Sequence, residues 1–517
     1  MRSLLLGALL ALSCGGHVTV DSTTLTVGRG GDAILLDPAR VNDGDSSEVC
    51  EQIFEHLVRY KPGTNEVEPA LATTWEVADQ GKSWTFHLRR GVRFHDGTPF
   101  DADAVVFSFD RQRDYQHPYH EPDFTYWDSN YRIIQRIEKL DDYTVRILIE
   151  RPYAPFLAYL AMFPVSIVSP RAVRHWEHQF SRHPVGTGPF RFVEWVPGDR
   201  ITLAANPDYW DGGPPKIGHL VFHLIPGERE RLVALESGAV DVAYNLAPKD
   251  LGYVRLHPDL RVHKIAASNV AFLAMNMLHP PFDDVRVRRA VNHAINKSLI
   301  VKLLYQGLAV PAIGPLPPTM WGYDPTLPRF DYDPEKARAL LREARYDPRV
   351  RPRFYVMSTP RPYVQAPERV SRVIARNLHD VGMDVELVVQ PMQAHLDTTA
   401  AGEHDLCIRG WVGDNGDPDN FLYTLLDRDS AFSQRATNVS FYRNAEVHGL
   451  LTWAQETSDR TERIGLYKKA QRIIALDAPW VPLAHSEVAV VARAGVRGFW
   501  IDPSSMVYYR SASRGPH

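Results

Sequence analysis

The stretch of sequence that decides the fold is LATTWEVADQGKSWTFHLRRGVRFHDGTPFDADAVVF, residues 71–107. Residues 84–88 alternate between apolar and polar side chains, which is the period of a strand with one buried face. After the turn at Gly97, Asp101 is placed to cap a helix that carries Val105 on its apolar side. A strand, a turn and a helix in this order predict an α/β fold.

The same alternation of strands and helices continues along the chain. We predict helices at 46–57 (capped by Ser46 or Ser47), 285–305, 334–345, 368–381 and 461–476, and strands at 144–149, 191–195, 201–204 and 385–389. The chain has 517 residues, whereas a single hydrophobic core stops growing at roughly 250–300 residues. The sequence therefore predicts at least two lobes.

The N-terminus has the pattern of an export signal. Arg2 precedes an apolar run at 4–12, which is shorter than the roughly 20 residues that a membrane-spanning helix needs. We therefore predict a secretory signal peptide over residues 1–22. Cys14 follows a small residue, as at the cleavage site of a bacterial lipoprotein, where it would become the lipidated first residue. A plain signal peptide cut a few residues later is the alternative.

Charge and cysteine content narrow the functional class. The formal net charge is −4 and the charged residues are interspersed, so no basic field indicates a nucleic-acid partner or anionic lipid. Only Cys50 and Cys407 remain after the signal. Cys407 lies in a strand-like run and is expected to be a buried thiol, and we expect no disulfide between the two.

Catalytic motifs are incomplete in this sequence. The letters GKS at 81–83 end like a phosphate-binding loop, but Glu76 stands where that loop needs its first glycine, so we predict a hairpin turn. The GTG at 186–188 begins like a dinucleotide fingerprint, but Arg191 replaces the third glycine. The chain has no G-x-S-x-G, H-E-x-x-H or C-x-x-C motif. We expect neither an enzyme nor a bound cofactor.

The densest acidic cluster is DNGDPDN at 414–420. A calcium loop that began at Asp414 would need glycine at its sixth position and glutamate at its twelfth. Those positions hold Asp419 and Leu425. The cluster is therefore predicted to be a turn rich in Asp and Asn, without a metal.

Several stretches together resemble the family-5 solute-binding proteins of ABC importers: 71–75, 84–89, 91–97, 102–107, 185–190, 206–210 and 284–289. The resemblance extends from Leu25 to Met506. It implies a two-lobed, periplasmic-binding-protein-like fold (type II, cluster C) with a subdomain inserted in lobe I. It further implies a lobe I core at 23–49, 186–270 and 485–517, the inserted subdomain at 50–185, lobe II at 271–484, and crossing strands near 271–276 and 482–486.

The segments 318–323, 361–363 and 410–421 look closest to the dipeptide-binding branch of that family. In such proteins the aspartate at the position of Asp414 binds the α-ammonium of the peptide, and the arginine at the position of Arg361 binds its α-carboxylate. This implies that a short peptide is captured between the lobes and delivered to the permease subunits of an ABC importer in the inner membrane. It implies a periplasmic or envelope-associated monomer.

Further residues are expected around that site. Tyr363 and Trp411 flank the two charged residues and are expected to wall the ligand, while Gly410 and Gly413 would let the backbone approach it. The segment 41–47, with Asp45 and Ser46, is expected to face the crevice, although it departs from the family pattern. The paired cysteines typical of enterobacterial dipeptide binders are missing.

A fixed anion and a fixed cation in one site select a zwitterionic ligand both by its two charges and by the distance between them. Two extended residues span at most about 7 Å, and a longer peptide would carry its carboxylate past Arg361. Arginine suits a carboxylate because its planar fork donates two parallel hydrogen bonds. Alternatives that stay open are the same fold with a longer peptide, glutathione, haem or chelated nickel as cargo, an exported hydrolase, and a chaperone or signalling receptor.

Overall fold

The computed structural model describes residues 23–432 and 436–515. Within these ranges, twelve strands form one mixed sheet that runs through both lobes. Ten of them lie side by side in the order Glu386–Gln390, Arg353–Met357, Leu406–Val412, Asn269–Met275, Trp480–Arg493, Val242–Tyr244, Thr24–Arg29, His219–Leu224, Arg200–Ala205 and Phe190–Val196. The other two, Leu260–Ala266 and Ala309–Pro311, pair with Trp480–Arg493.

The long strand Trp480–Arg493 passes from one lobe to the other. Its first part pairs with Asn269–Met275, and its second part pairs with Leu260–Ala266 and Val242–Tyr244. The side chain of Asn269 ties the crossing together, because its Nδ2 donates to Ser486 Oγ at 2.8 Å and its Oδ1 accepts from Ser486 N at 2.8 Å. The crossing predicted at 482–486 agrees with this pairing. The sequence predicts the other crossing near 271–276. In the structure it lies at 267–268, between the strands Leu260–Ala266 and Asn269–Met275.

A separate sheet belongs to the segment predicted as the inserted subdomain. Its strands lie in the order Ala72–Ala78, Ser83–Leu88, Thr144–Ile149 and Ile134–Asp141, all antiparallel. The helix Ala102–Arg113 packs on it, and the Asp101 side chain accepts from Ala104 N at 3.1 Å. The predicted strand, the helix cap and the hairpin turn at 81–83 are thereby confirmed.

The α-helices of the described residues are Gly44–Ile53, Ala102–Arg113, Phe156–Tyr159, Pro170–Trp176, Glu228–Ser237, Leu251–Leu256, Val285–Ala294, Lys297–Ile300, Pro334–Glu343, Pro367–Asp380, Met392–Ala400, Asp419–Leu426, Ala445–Glu456 and Arg460–Asp477. Three short strand pairs complete the described part of the chain: Val58–Tyr60 with Val67–Pro69, Val496–Arg497 with Ser513–Arg514, and Trp500–Ile501 with Val507–Tyr508.

Two predicted helices differ from the structure. The first begins at Gly44 instead of Ser46, because the side chain of Asp43 caps it by accepting from Ser46 N. The helix predicted over 285–305 is interrupted after Ala294. Ile295 is extended, and the Asn296 side chain accepts from Leu299 N to cap a new turn, which continues into a π-helical segment over Val301–Tyr305.

Separate hydrophobic cores stabilise the inserted sheet, the lobe I part of the large sheet and each face of its lobe II part. Cys50 and Cys407 are buried in two different cores, and both are free thiols, as expected. Burial raises the pKa of the Cys407 thiol to about 12. Both side chains therefore contribute apolar packing, not cross-linking.

Candidate ligand-binding cavity

A cavity of about 740 Å³ opens between lobe II and the inserted subdomain. From lobe II it is lined by the end of the strand Leu406–Val412, by the turn that follows, and by residues of the segment 361–363. Tyr126, Tyr153 and Tyr159 of the inserted subdomain face them. Of the residues predicted from the sequence, this cavity brings together Arg361, Tyr363, Gly410, Trp411 and Asp414.

Asp414 is the anionic group of the predicted pair. Burial raises the pKa of its carboxyl to about 6, although hydrogen bonds from Asn420 and Tyr126 partly oppose this rise. In the described part of the chain, no ion pair joins Asp414 to a cation of the protein. An anion that is held by neutral donors and lacks a counter-ion is suited to bind a cation from outside.

Asn420 positions this part of the site. Its Oδ1 accepts from the Trp411 indole N–H at 2.9 Å and from the Asp414 backbone N–H at 2.9 Å. Its Nδ2 lies 3.5 Å from Asp414 Oδ2. One amide therefore fixes both the tryptophan and the carboxylate. Sequence reasoning quoted Asn420 within the acidic cluster but assigned it no role.

The acidic cluster itself is a turn, as predicted. Asn415 Oδ1 accepts from Asp417 N, and Asp417 Oδ1 accepts from Asp419 N, each at 3.0 Å. Arg463 forms an ion pair with Asp417 at 2.8 Å. These contacts use the carboxylate of Asp417 for the fold and direct Asp414 to the cavity.

Arg361 and Tyr363 lie in a short turn that is closed by backbone hydrogen bonds between Arg361 and Val364 at 3.0 and 2.9 Å. The guanidinium of Arg361 is exposed and hydrogen-bonds the Tyr363 hydroxyl. Burial raises the pKa of that hydroxyl, and the positive charges of Arg409 and Arg361 oppose the rise. The backbone of the turn therefore anchors Arg361, and its exposed guanidinium keeps further N–H donors for a ligand.

The two glycines predicted for the site, Gly410 and Gly413, are required by the packing of the protein itself. A Cβ at Gly410 would lie 2.2 Å from Cδ2 of Tyr363, and one at Gly413 would lie 2.7 Å from Cε2 of Phe421. Both positions therefore need glycine because an aromatic ring of the protein packs on the backbone. Gly410 lines the cavity, whereas Gly413 donates its N–H to Ser268 O at 2.7 Å.

The two lobes are bonded to each other across the cavity. The Tyr153 hydroxyl donates across the cavity to Asp419 Oδ2 at 2.9 Å. Within lobe II, Gln455 Nε2 donates to Asp419 Oδ1 at 2.9 Å. Gly416 N donates to the Tyr60 hydroxyl at 2.9 Å. Burial raises the pKa of Asp419 to about 6. The structure is therefore a closed arrangement in which the inserted subdomain covers the lobe II turn.

The expectation that Asp45 and Ser46 face this crevice is not met. Ser46 is fully buried and its hydroxyl accepts from Ile34 N at 2.8 Å. The backbone carbonyl of Asp45 accepts from Arg29 Nη1 at 2.7 Å. Neither residue lines the cavity, because both belong to the first turn of a helix that packs in lobe I. Cys14 lies outside the described residues.

Arg409 was not predicted, although it lines the same wall. It is half-buried and donates to Thr399 Oγ1 at 2.7 Å. The sequence placed it at the end of a strand, where an arginine is usually solvated. Its presence in one cavity with Arg361 depends on how distant segments of the chain pack together, which no local pattern reveals.

Residues 66–433 match the model of the bacterial extracellular solute-binding proteins, family 5. The chain belongs to this family. It is 36% identical to the dipeptide-binding protein of Escherichia coli (strain K12) over 485 residues, which covers 91% of this chain and 90% of that protein. It is also 36% identical to heme-binding protein A of Haemophilus influenzae, over 90% of this chain and 88% of the relative.

Solved structures agree with this membership. The ABC transporter-associated periplasmic binding protein DppA from Helicobacter pylori, in complex with the peptide STSA, superposes with a TM-score of 0.81 at 36% identity. The match covers 95% of this chain and 98% of that one. The two-lobed α/β fold predicted from the sequence is confirmed. The protein is an exported binding component of the ABC transporter class and not an enzyme.

Among residues 23–432 and 436–515, no helix combines the length and the apolar character that spanning a bilayer would require.

Proposed function

We propose that this protein captures dipeptides and other short peptides between its two lobes and delivers them to the permease subunits of an ABC importer in the inner membrane. Asp414 binds the α-ammonium of the ligand and Arg361 binds its α-carboxylate. The observation that carries this proposal is that both charged groups line one closed cavity, each without a counter-ion among the described residues. The 36% identity to the dipeptide-binding protein of Escherichia coli supports a dipeptide as ligand, and the complex of DppA from Helicobacter pylori with STSA supports a short peptide.

The physical basis is that a zwitterion supplies both missing charges. The buried, hydrogen-bonded carboxylate of Asp414 accepts from an ammonium, which has three donors and no acceptor. The guanidinium of Arg361 donates two parallel hydrogen bonds to a carboxylate. The rings of Trp411 and Tyr363 provide flat walls of the cavity. The cavity volume of about 740 Å³ leaves room for varied ligand side chains and for water.

Ligand binding is coupled to the closed form in this proposal. In the closed arrangement, a peptide contacts Asp414 of lobe II and the tyrosines of the inserted subdomain at the same time. It therefore binds this arrangement more tightly than an open one. It shifts the population toward closure by that difference in affinity. The permease then recognises the closed protein.

We also propose the division of the chain given above, with lobe I at 23–49, 186–270 and 485–517, the inserted subdomain at 50–185 and lobe II at 271–484. The pairing of Trp480–Arg493 with strands of both lobes supports these bounds. Lipid anchoring through Cys14 and a monomeric state complete the proposal.

Ligand length is the first test. We expect isothermal calorimetry to show that Ala-Ala binds roughly tenfold to a hundredfold more tightly than Ala-Ala-Ala-Ala. The longer peptide carries its carboxylate past Arg361 and loses a hydrogen bond to a charged group, which contributes about 1.5–3 kcal/mol. Free alanine serves as the control for a ligand too short to reach both charged groups. Equal affinity for the dipeptide and the tetrapeptide would contradict the assignment of the two termini.

A further inference from the structure

Arg409 gives the cavity a positive charge that a simple dipeptide does not use. It lies in the strand Leu406–Val412, is half-buried, and lines the cavity. A single hydrogen bond to Thr399 Oγ1 holds its guanidinium. In the part of the chain that the structure describes, no carboxylate forms an ion pair with it. A half-buried arginine with spare donors is a ready binding group for an anion.

Counting the charges of the cavity makes the excess clear. The charged lining residues are Arg132, Arg151, Arg361, Arg409, Asp414 and Asp419. Arg132 is paired with Asp128 at 2.9 Å, and Asp419 is held by the neutral donors Tyr153 and Gln455. A zwitterionic dipeptide matches Asp414 and Arg361. Arg409, and Arg151 at the exposed rim, then remain without a counter-charge.

Arg409 lies at the carboxylate end of the proposed ligand. Arg361 hydrogen-bonds the hydroxyl of Tyr363, and the charge of Arg409 acts on the same hydroxyl. Both arginines line the cavity together with this tyrosine, whereas Asp414 lies beyond Trp411 in the turn that follows the strand.

We propose that this site prefers dipeptides whose second residue carries a carboxylate side chain, and that Arg409 is the residue that binds it. The inference rests on the proposed function and names the ligand class of the same cavity. The α-carboxylate takes Arg361, and the side-chain carboxylate of the same residue takes Arg409. Thr399 orients the guanidinium, so that little rotational freedom is lost when the second anion binds.

The test compares Ala-Glu with Ala-Gln, which has nearly the same shape but no side-chain charge, and with Glu-Ala, which carries the charge on the first residue. We expect calorimetry at pH 7.5 to show Ala-Glu binding roughly tenfold or more tightly than Ala-Gln, since the guanidinium then pairs with a carboxylate instead of an uncharged amide. Glu-Ala should show no such gain. Equal affinities for Ala-Glu and Ala-Gln in the wild-type protein overturn the inference.

The variants assign the effect to one side chain. In Arg409→Gln the affinity ratio of Ala-Glu to Ala-Gln should fall to about one, whereas Arg409→Lys should keep part of it, because a point charge remains without the planar fork. The matched control is Arg151→Gln, which removes the other unpaired arginine and should keep the wild-type ratio. Loss of the ratio in Arg151→Gln but not in Arg409→Gln overturns the assignment.

Two other outcomes separate this inference from the proposed function. If Arg409→Gln weakens Ala-Glu and Ala-Gln equally, Arg409 acts on the α-carboxylate and the inference is overturned while dipeptide capture stands. If wild-type protein binds Ala-Ala but shows no preference among the three peptides, the inference fails alone. If none of the dipeptides binds, the proposed function fails with it.

Discussion

Replacing Asp414 with asparagine is expected to lower the affinity for Ala-Ala more than a hundredfold. The substitution keeps the shape of the side chain and its bonds to Asn420, but it leaves the α-ammonium of the ligand buried without a counter-charge. Removing one partner of a buried ion pair costs roughly 3–5 kcal/mol, which corresponds to a factor above one hundred. Isothermal calorimetry on the purified protein at pH 7.5 measures the loss.

The control for this variant is Asp380→Asn, which changes an exposed aspartate that is paired with Arg376 on a helix of lobe II. A surface pair of this kind contributes at most about 1 kcal/mol, so the control should bind Ala-Ala like the wild type. An Asp414→Asn protein that binds Ala-Ala within threefold of the control would remove Asp414 from the site.

The affinity for Ala-Ala is also expected to depend on pH through the ionisation of Asp414. Because burial raises the pKa of Asp414 to about 6 in the ligand-free protein, the carboxyl is ionised above that pH and protonated below it. The ligand keeps its charges over this range, since its α-carboxyl titrates near pH 3.5. Affinity should therefore fall about tenfold per pH unit below pH 6. Asp419 also has a pKa of about 6, so the comparison with Asp414→Asn, whose affinity should lose this dependence, isolates Asp414.

Replacing Arg361 with glutamine is expected to weaken Ala-Ala binding by roughly tenfold to a hundredfold, because hydrogen bonds to a charged group contribute about 1.5–3 kcal/mol each. The effect is smaller than at Asp414, since Arg361 is exposed and water screens its charge.

The matched control is Arg372→Gln, an exposed arginine that forms an ion pair with Glu368 on the helix Pro367–Asp380. It should bind Ala-Ala like the wild type, measured by the same calorimetry. A loss of similar size in both variants would mean that the overall charge of the lobe, and not the contact made by Arg361, attracts the ligand.

Local chemistry predicted much of the fold. Asp101 caps the helix that it was expected to cap, and the predicted strand at 84–88 pairs within the inserted sheet. The errors arise where two local signals compete. Asp43 caps the first helix although Ser46 stands closer to the apolar run, and Asn296 ends a helical pattern whose periodicity continues. Periodicity does not reveal which of two capping residues is used.

The candidate site was predictable only in part. Asp414 and Arg361 came from a resemblance to a family, and the structure brings both to one cavity. The contacts that hold them were invisible in the sequence, since Tyr126 hydrogen-bonds Asp414 from a distant part of the chain. Arg409 lines the cavity with its guanidinium held by Thr399 from a neighbouring helix. Such contacts depend on tertiary packing, which no local motif encodes.

The measurement that tests the central claim most directly blocks one charge of the ligand at a time. Calorimetry should show that N-acetyl-Ala-Ala, which lacks the ammonium, and Ala-Ala-amide, which lacks the carboxylate, each bind at least tenfold more weakly than Ala-Ala. The loss on acetylation should nearly vanish in Asp414→Asn, since no anion then remains for the ammonium. Binding of N-acetyl-Ala-Ala as tight as that of Ala-Ala would contradict the claim that this cavity recognises a peptide by its two charged ends.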